Sequence, residues 1–269
     1  MTTFRTGVCT WTFGDLPLEH IARDASVLGF DGVELLGELN RYTAHEAKSI
    51  LSDAEMDVFS LTPTDADLAH PDPEVRAAGV DYYRRLIEFA AELDGPLVSC
   101  HGLVGRVAAI TDQASERSWL AESVAAIAAE AKAHGIRVVF EVLNRYETHT
   151  IHTCREAADL IEGLGADNVG ILLDAYHMNI EESDPAGAIR EAGDRLWLYH
   201  AADSNRQALG RGHTDFRSQL AALESIGYTG PIILECTAPG PNPFTPIKDD
   251  RSLALHRQYL SESLRLLKS

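Results

Sequence analysis

The chain has 269 residues, long enough for one large domain and close to the roughly 250 residues of an α/β barrel. Its 41 acidic residues against 23 Lys and Arg give a net charge of −18, a surface that repels polyanions and argues against nucleic-acid binding. No charged-then-apolar leader and no apolar run of about 18 residues occurs, so neither secretion nor membrane contact is expected and the expected location is cytoplasmic.

In chain order, Thr6–Trp11 reads as a first strand, and Pro17–Leu28 as an amphipathic helix closed by Gly29. Asp31–Leu36 is a second strand, Ala44–Ala54 a helix and Asp57–Leu61 a third strand. A loop rich in Asp, Thr and Pro runs from Thr62 to Asp72, and Pro73 then suits the first turn of a helix reaching about Leu93. Pro96–His101 is the fourth strand, and Ser115–His134 an Ala-rich helix stopped by Gly135. Val138-Val139-Phe140 leads into Glu141, and Cys154–Gly163 is helical. Val169–Leu173 leads into Asp174, Pro185–Ala192 is a short helix, and Leu196–Tyr199 leads into His200. Phe216–Ile226 is helical before Gly227, Ile232–Leu234 leads into Glu235, and a last helix covers about Asp250–Leu267. Eight strand–helix alternations without a low-complexity linker predict a single-domain (β/α)₈ TIM barrel over residues 1–269. Cys9, Cys100, Cys154 and Cys236 show no Cys-x-x-Cys spacing and are expected as reduced thiols.

Four of these strands end in a group that can bind a cation. Glu141, Asp174, His200 and Glu235 follow one another at 33, 26 and 35 residues, about one βα unit each. One such acid is ordinarily a helix cap or a solvated loop residue. Four in series, on strand ends that a parallel barrel gathers on one face, predict a shared cation site. Three carboxylates and one imidazole suit Mn²⁺, Mg²⁺ or Co²⁺. His177, three residues beyond Asp174, and Arg206, six beyond His200, are placed in loops above the same rim. Trp11 and Phe13 are open between packing and lining the pocket.

The runs Glu141-Val-Leu-Asn-Arg-Tyr-Glu147, Asp174-Ala-Tyr-His177 and His200-Ala-Ala-Asp-Ser-Asn-Arg206 resemble the ketose 3-epimerases, within the xylose-isomerase-like barrel superfamily. The resemblance implies that Glu141, Asp174, His200 and Glu235 hold one divalent metal, Mn²⁺ first and Co²⁺ or Mg²⁺ next. It further implies that Glu147, His177 and Arg206 grip a small sugar near its first three carbons. Glu141 and Glu235 become the paired acid and base that epimerise C3 of a free ketose through an enediolate. Relatives form dimers or tetramers, so a homo-oligomer is expected. Ala202 and Asp203 depart from the family's Gly and Glu, and Gly210–Phe216 is closer to the wider superfamily, which leaves the sugar open. The alternatives are an aldose–ketose isomerase, or a lyase acting on a 3-keto sugar with a small partner subunit. Retention of all four candidate ligands argues against a non-catalytic sugar-binding protein. The superfamily's DNA-repair endonucleases need a His-rich trinuclear site and a basic face, neither of which this chain carries.

Overall fold

The computed structural model describes residues 4–238 and 247–268. Strands β1 (Thr6–Cys9), β2 (Gly32–Leu36), β3 (Asp57–Thr62), β4 (Leu97–Cys100), β5 (Val138–Glu141), β6 (Val169–Asp174), β7 (Leu196–Ala201) and β8 (Ile232–Leu234) pair in sequence order, and β8 closes onto β1. Every pairing is parallel, which gives the expected (β/α)₈ barrel. The helices around it are α1 (Leu18–Leu28), α2 (Ala44–Asp53), α3 (Pro73–Glu92), α4 (Gln113–Ala133), α5 (Cys154–Leu164), α6 (Ala175–Glu181), α7 (Pro185–Ala192), α8 (Phe216–Ser225) and α9 (Asp250–Leu267). Among the described residues, no helix is long and apolar enough to cross a membrane.

Local chemistry starts these helices where they start. Thr43 and Thr153 form capping boxes with Glu46 and Glu156, and Asp72, Asp112, Asp215 and Asp249 accept the first free N–H groups of their helices. Each such cap is worth about 1 kcal/mol. Pro73 stands at the start of α3 as its sequence suggests.

Two expectations need correcting. β1 stops at Cys9, and Thr10–Phe13 turns into a 3₁₀ helix in which Thr12 Oγ1 donates to Cys9 O at 2.7 Å. The stretch after β6 is helix α6 and not a loop, so His177 sits on a helix.

The barrel interior decides where the site lies. Val139, Leu172, Leu198 and Ile233 form an inner apolar layer with no exposure to solvent. Side chains alternate along a strand, so the residues two positions further on, Glu141, Asp174, His200 and Glu235, point inward one layer higher. The floor below is built differently. Gly7 and Gly32 leave a gap filled by the Phe59 ring, which a Cβ at either position would meet at 2.9 or 2.7 Å. Gly170 likewise lies directly under the Trp197 ring. The register shifts where each ring is accommodated, between Val33 and Glu34 against β3 and between Ile171 and Leu172 against β7.

Candidate active site

Above the apolar layer, one atom from each of Glu141, Asp174, His200 and Glu235 lies within 4.8 Å of the others, and all four residues are buried. The strands therefore bring together the four predicted ligands. His200 Nδ1 is 3.7 Å from Glu141 Oε1 and 3.7 Å from Glu235 Oε2. The fit to a cation rests on two orphaned atoms. Asp174 Oδ2 and His200 Nδ1 are buried and have no hydrogen-bond partner, although both face this cluster. Buried polar atoms are nearly always satisfied, so two orphans on one centre mark a place for a ligand of their own. Three carboxylates and an imidazole make a hard-to-borderline donor set.

The charges are strongly coupled. Burial pushes the Glu141 carboxyl well above its usual range, and the neighbouring Glu235, Glu34 and Asp174 add to this. Burial likewise raises Asp174, to about 7. Burial acts on Glu235 too, but Arg206 and His200 outweigh it and hold that carboxyl well below its usual range.

The three predicted substrate residues stand around the same centre. Arg206 Nη1 donates to Glu235 Oε2 and lies 3.7 Å from Asp174 Oδ2, while its guanidinium stacks 4.2 Å from the Tyr176 ring centroid. Arg206 adopts φ 58°, an uncommon conformation for a residue with a side chain, and its peptide is held by bonds to Asp203 and Thr237. His177 Nδ1 accepts from Asn144 N at 3.2 Å and from Asn144 Nδ2 at 2.7 Å. Burial holds this imidazole well below its usual range, and its Nε2 lies 3.5 Å from Asp174 Oδ2 and 3.4 Å from Arg206 Nη2. Glu147 Oε1 accepts from the same Asn144 amide at 3.0 Å, and burial raises its carboxyl.

Four further residues belong to the site without having been assigned to it. Asn144 ties His177 to Glu147. Trp11 lines the pocket and donates its Nε1–H to Glu235 Oε1 at 2.9 Å, whereas Phe13 packs edge-on against His256. Glu34 accepts from His200 Nε2 at 3.1 Å. His101, which is 4% exposed, lines the same pocket together with Asp65. The pocket opening onto these groups has a volume of about 320 Å³. A larger cavity of about 720 Å³ lies at the opposite end of the barrel, around Arg5, Asp57 and Trp197, and takes in none of the four convergent groups.

This geometry matches a known lineage. The xylose isomerase-like TIM barrel pattern matches residues 22–262. The chain belongs to that family. It is 33% identical to the D-psicose 3-epimerase of Agrobacterium fabrum, over 81% of this chain and 77% of that protein. It is 38% identical to the ketose 3-epimerase of Arthrobacter globiformis, over 77% of this chain and 73% of that one. The 3-dehydro-D-guloside 4-epimerase of Escherichia coli is 30% identical over 77% of this chain and 82% of its own length. The structure of D-psicose 3-epimerase from Clostridium cellulolyticum H10 with D-tagatose superimposes with a TM-score of 0.87, at 26% identity, covering 98% of both chains.

Proposed function

We propose that the protein is a divalent-metal-dependent epimerase acting at C3 of a free ketose. The observation that carries the reading is the convergence of Glu141, Asp174, His200 and Glu235, two of whose atoms are buried without a hydrogen bond, at the bottom of a sugar-sized pocket. A proton next to a ketone is too weakly acidic for an unaided carboxylate to remove quickly. A cation held by these four residues supplies Lewis-acid stabilisation of the negative charge that develops on the ketose oxygens.

The chain's own residues do the rest. The Arg206 guanidinium faces the centre and can donate to the C2 oxygen as it gains charge, with His177 Nε2 beside it at 3.4 Å. Glu147, turned by Asn144, can accept from sugar hydroxyls. Glu141 and Glu235 come from β5 and from the end of β8, and serve opposite faces of the carbon, one removing the C3 proton and the other returning one. Among the described residues lining the pocket, Arg206 is the one full cation and already meets Glu235, while Asp65 and Glu147 add negative charge. That lining favours an unphosphorylated sugar.

A second reading is epimerisation at C4 of a 3-keto glycoside, favoured by the 30% identical 4-epimerase relative. It needs the same two-faced proton transfer one carbon further along. The test is a panel of free ketoses and 3-keto glycosides, incubated in D₂O with metal-stripped protein reloaded with Mn²⁺. Deuterium at C3 of an epimerised ketose is the expected result. Label at C4 of a keto glycoside supports the second reading. Label confined to C1 or C2, or cleavage products without an epimer, overturns both.

A further inference from the structure

We infer that Glu34, from the middle of β2, is the positioning residue that aims His200 at the cation site. The inference rests on the metal-site reading above and extends it to a residue outside the four ligands. Glu34 is fully buried inside the barrel. A carboxylate there is strongly disfavoured unless its acceptor positions are filled.

They are filled completely. Oε2 accepts from Ser60 Oγ at 2.5 Å and from His200 Nε2 at 3.1 Å. Oε1 accepts from Thr62 Oγ1 at 2.5 Å and from the Cys9 thiol at 3.4 Å. A carboxylate has about four lone-pair directions, and here each has a donor. This decides between two roles. Cys9, Glu34 and Glu235 also come within 4.8 Å of one another, which alone would suggest a second cation site. With no acceptor position left over, Glu34 is not itself a ligand. It is a fixed acceptor for one imidazole nitrogen.

The backbone places it deliberately. Cys9 and Ser60 are the register partners of Glu34 on β1 and β3, and the irregularity between Val33 and Glu34 pairs Glu34 with Ser60 while skipping Phe59. Three adjacent strands therefore put donor, acceptor and donor in one row. With His200 Nε2 committed to Glu34, Nδ1 is the nitrogen left to the cluster, and it is the one without a hydrogen-bond partner. An outer partner of this kind fixes the ring orientation of a metal-binding histidine.

The test is calorimetric titration of Mn²⁺ into metal-stripped protein, comparing wild type, Glu34→Gln and Ser60→Ala, with His200→Ala as the reference for ligand loss. Unfolding of each in chelator separates aim from stability. Glu34→Gln should bind Mn²⁺ about 10- to 100-fold more weakly. Ser60→Ala removes one donor from the oxygen that meets His200 and should weaken binding by a smaller factor with the fold intact. Wild-type affinity in both variants overturns the role of Glu34 and leaves the metal site standing. If Glu34→Gln does not fold, unchanged affinity in Ser60→Ala overturns it instead. Failure of the wild type itself to bind Mn²⁺ overturns the metal-site reading, and the role of Glu34 with it.

Discussion

Asp174 divides its carboxylate between two tasks: Oδ1 accepts the Tyr176 N–H at 2.9 Å and caps α6, while Oδ2 makes no hydrogen bond and faces the cluster of Glu141, His200 and Glu235. One side chain thus ends a strand, starts a helix and faces the chemistry. The two tasks can be separated. Asp174→Asn keeps an oxygen for the cap and should unfold in chelator much as the wild type does, yet bind no stoichiometric Mn²⁺. Asp174→Ala should lose the cation and about 1 kcal/mol of stability as well. Urea unfolding and Mn²⁺ titration read the two separately. Normal Mn²⁺ binding by Asp174→Asn would mean that the site has been misplaced.

Glu141 and Glu235 should fail in different ways. Glu141→Gln and Glu235→Gln should each lower turnover by at least about 10²-fold, the usual scale for a lost acid or base. Each should still exchange the C3 proton of one ketose epimer with D₂O, because one face keeps its carboxylate. Proton NMR of the recovered sugar measures this. Exchange of both epimers by either variant would refute the assignment of one carboxylate to each face.

In the proposed reading Arg206 serves the substrate oxygens, Asn144 holds His177 and Glu147 in place, and neither holds the cation. Arg206→Ala should retain bound Mn²⁺ and lose activity, since its guanidinium contributes charge at the rim. Asn144→Ala frees both His177 and Glu147, and should lower kcat/KM about 10-fold or more with Mn²⁺ affinity unchanged. Steady-state kinetics at saturating Mn²⁺, alongside metal analysis, test the pair. Loss of metal in Asn144→Ala would show that it supports the ligands instead.

Acid should destabilise the fold through His256. Burial lowers this imidazole to about 3, outweighing its hydrogen bond to the Cys236 carbonyl. Its ordinary value is about 6.5, so between the two the unfolded chain binds a proton that the folded chain refuses. Stability therefore falls as pH drops below about 6.5 and stops falling on this account near 3, a loss on the order of 2–3 kcal/mol by pH 4.5. Urea midpoints in chelator should decline over this range in the wild type and decline less in His256→Gln. Parallel slopes would remove His256 as the cause.

The barrel and the ring of four strand-end groups were legible because each group follows an apolar run, and side-chain alternation carries that run inward. Glu34 carries a similar signal in a less conspicuous place. It stands between Val33 and Leu35 inside a strand, and attention to strand ends alone passes over it. The helix after β6 was hidden for another reason: its cap is Asp174 itself, so no separate turn residues mark a start. Asn144 lies within a recognised run, but an amide joining an imidazole to a carboxylate is a relation between the loop after β5 and helix α6 that spacing along one segment does not carry. Trp11 reads from its sequence as the end of a strand, whereas the 3₁₀ turn at Thr10–Phe13 carries its indole to Glu235 across the closure of the barrel.

The aromatic floor has a consequence for where protons go. Phe59 and Trp197 cover the glycine gaps, and Arg5 and Arg137 lie over their outer faces at 4.6 and 5.1 Å from the ring centroids. Above them the layer of Val139, Leu172, Leu198 and Ile233 is dry. The barrel is thus a cup closed underneath, and a sugar bound as proposed would fill its mouth. A hydrogen lifted from such a substrate would have no way out underneath and would reach bulk water only past the sugar that gave it up. Some of it should be handed back before the mouth clears, so the isotope washed into recovered starting sugar will undercount how often the C–H bond is broken.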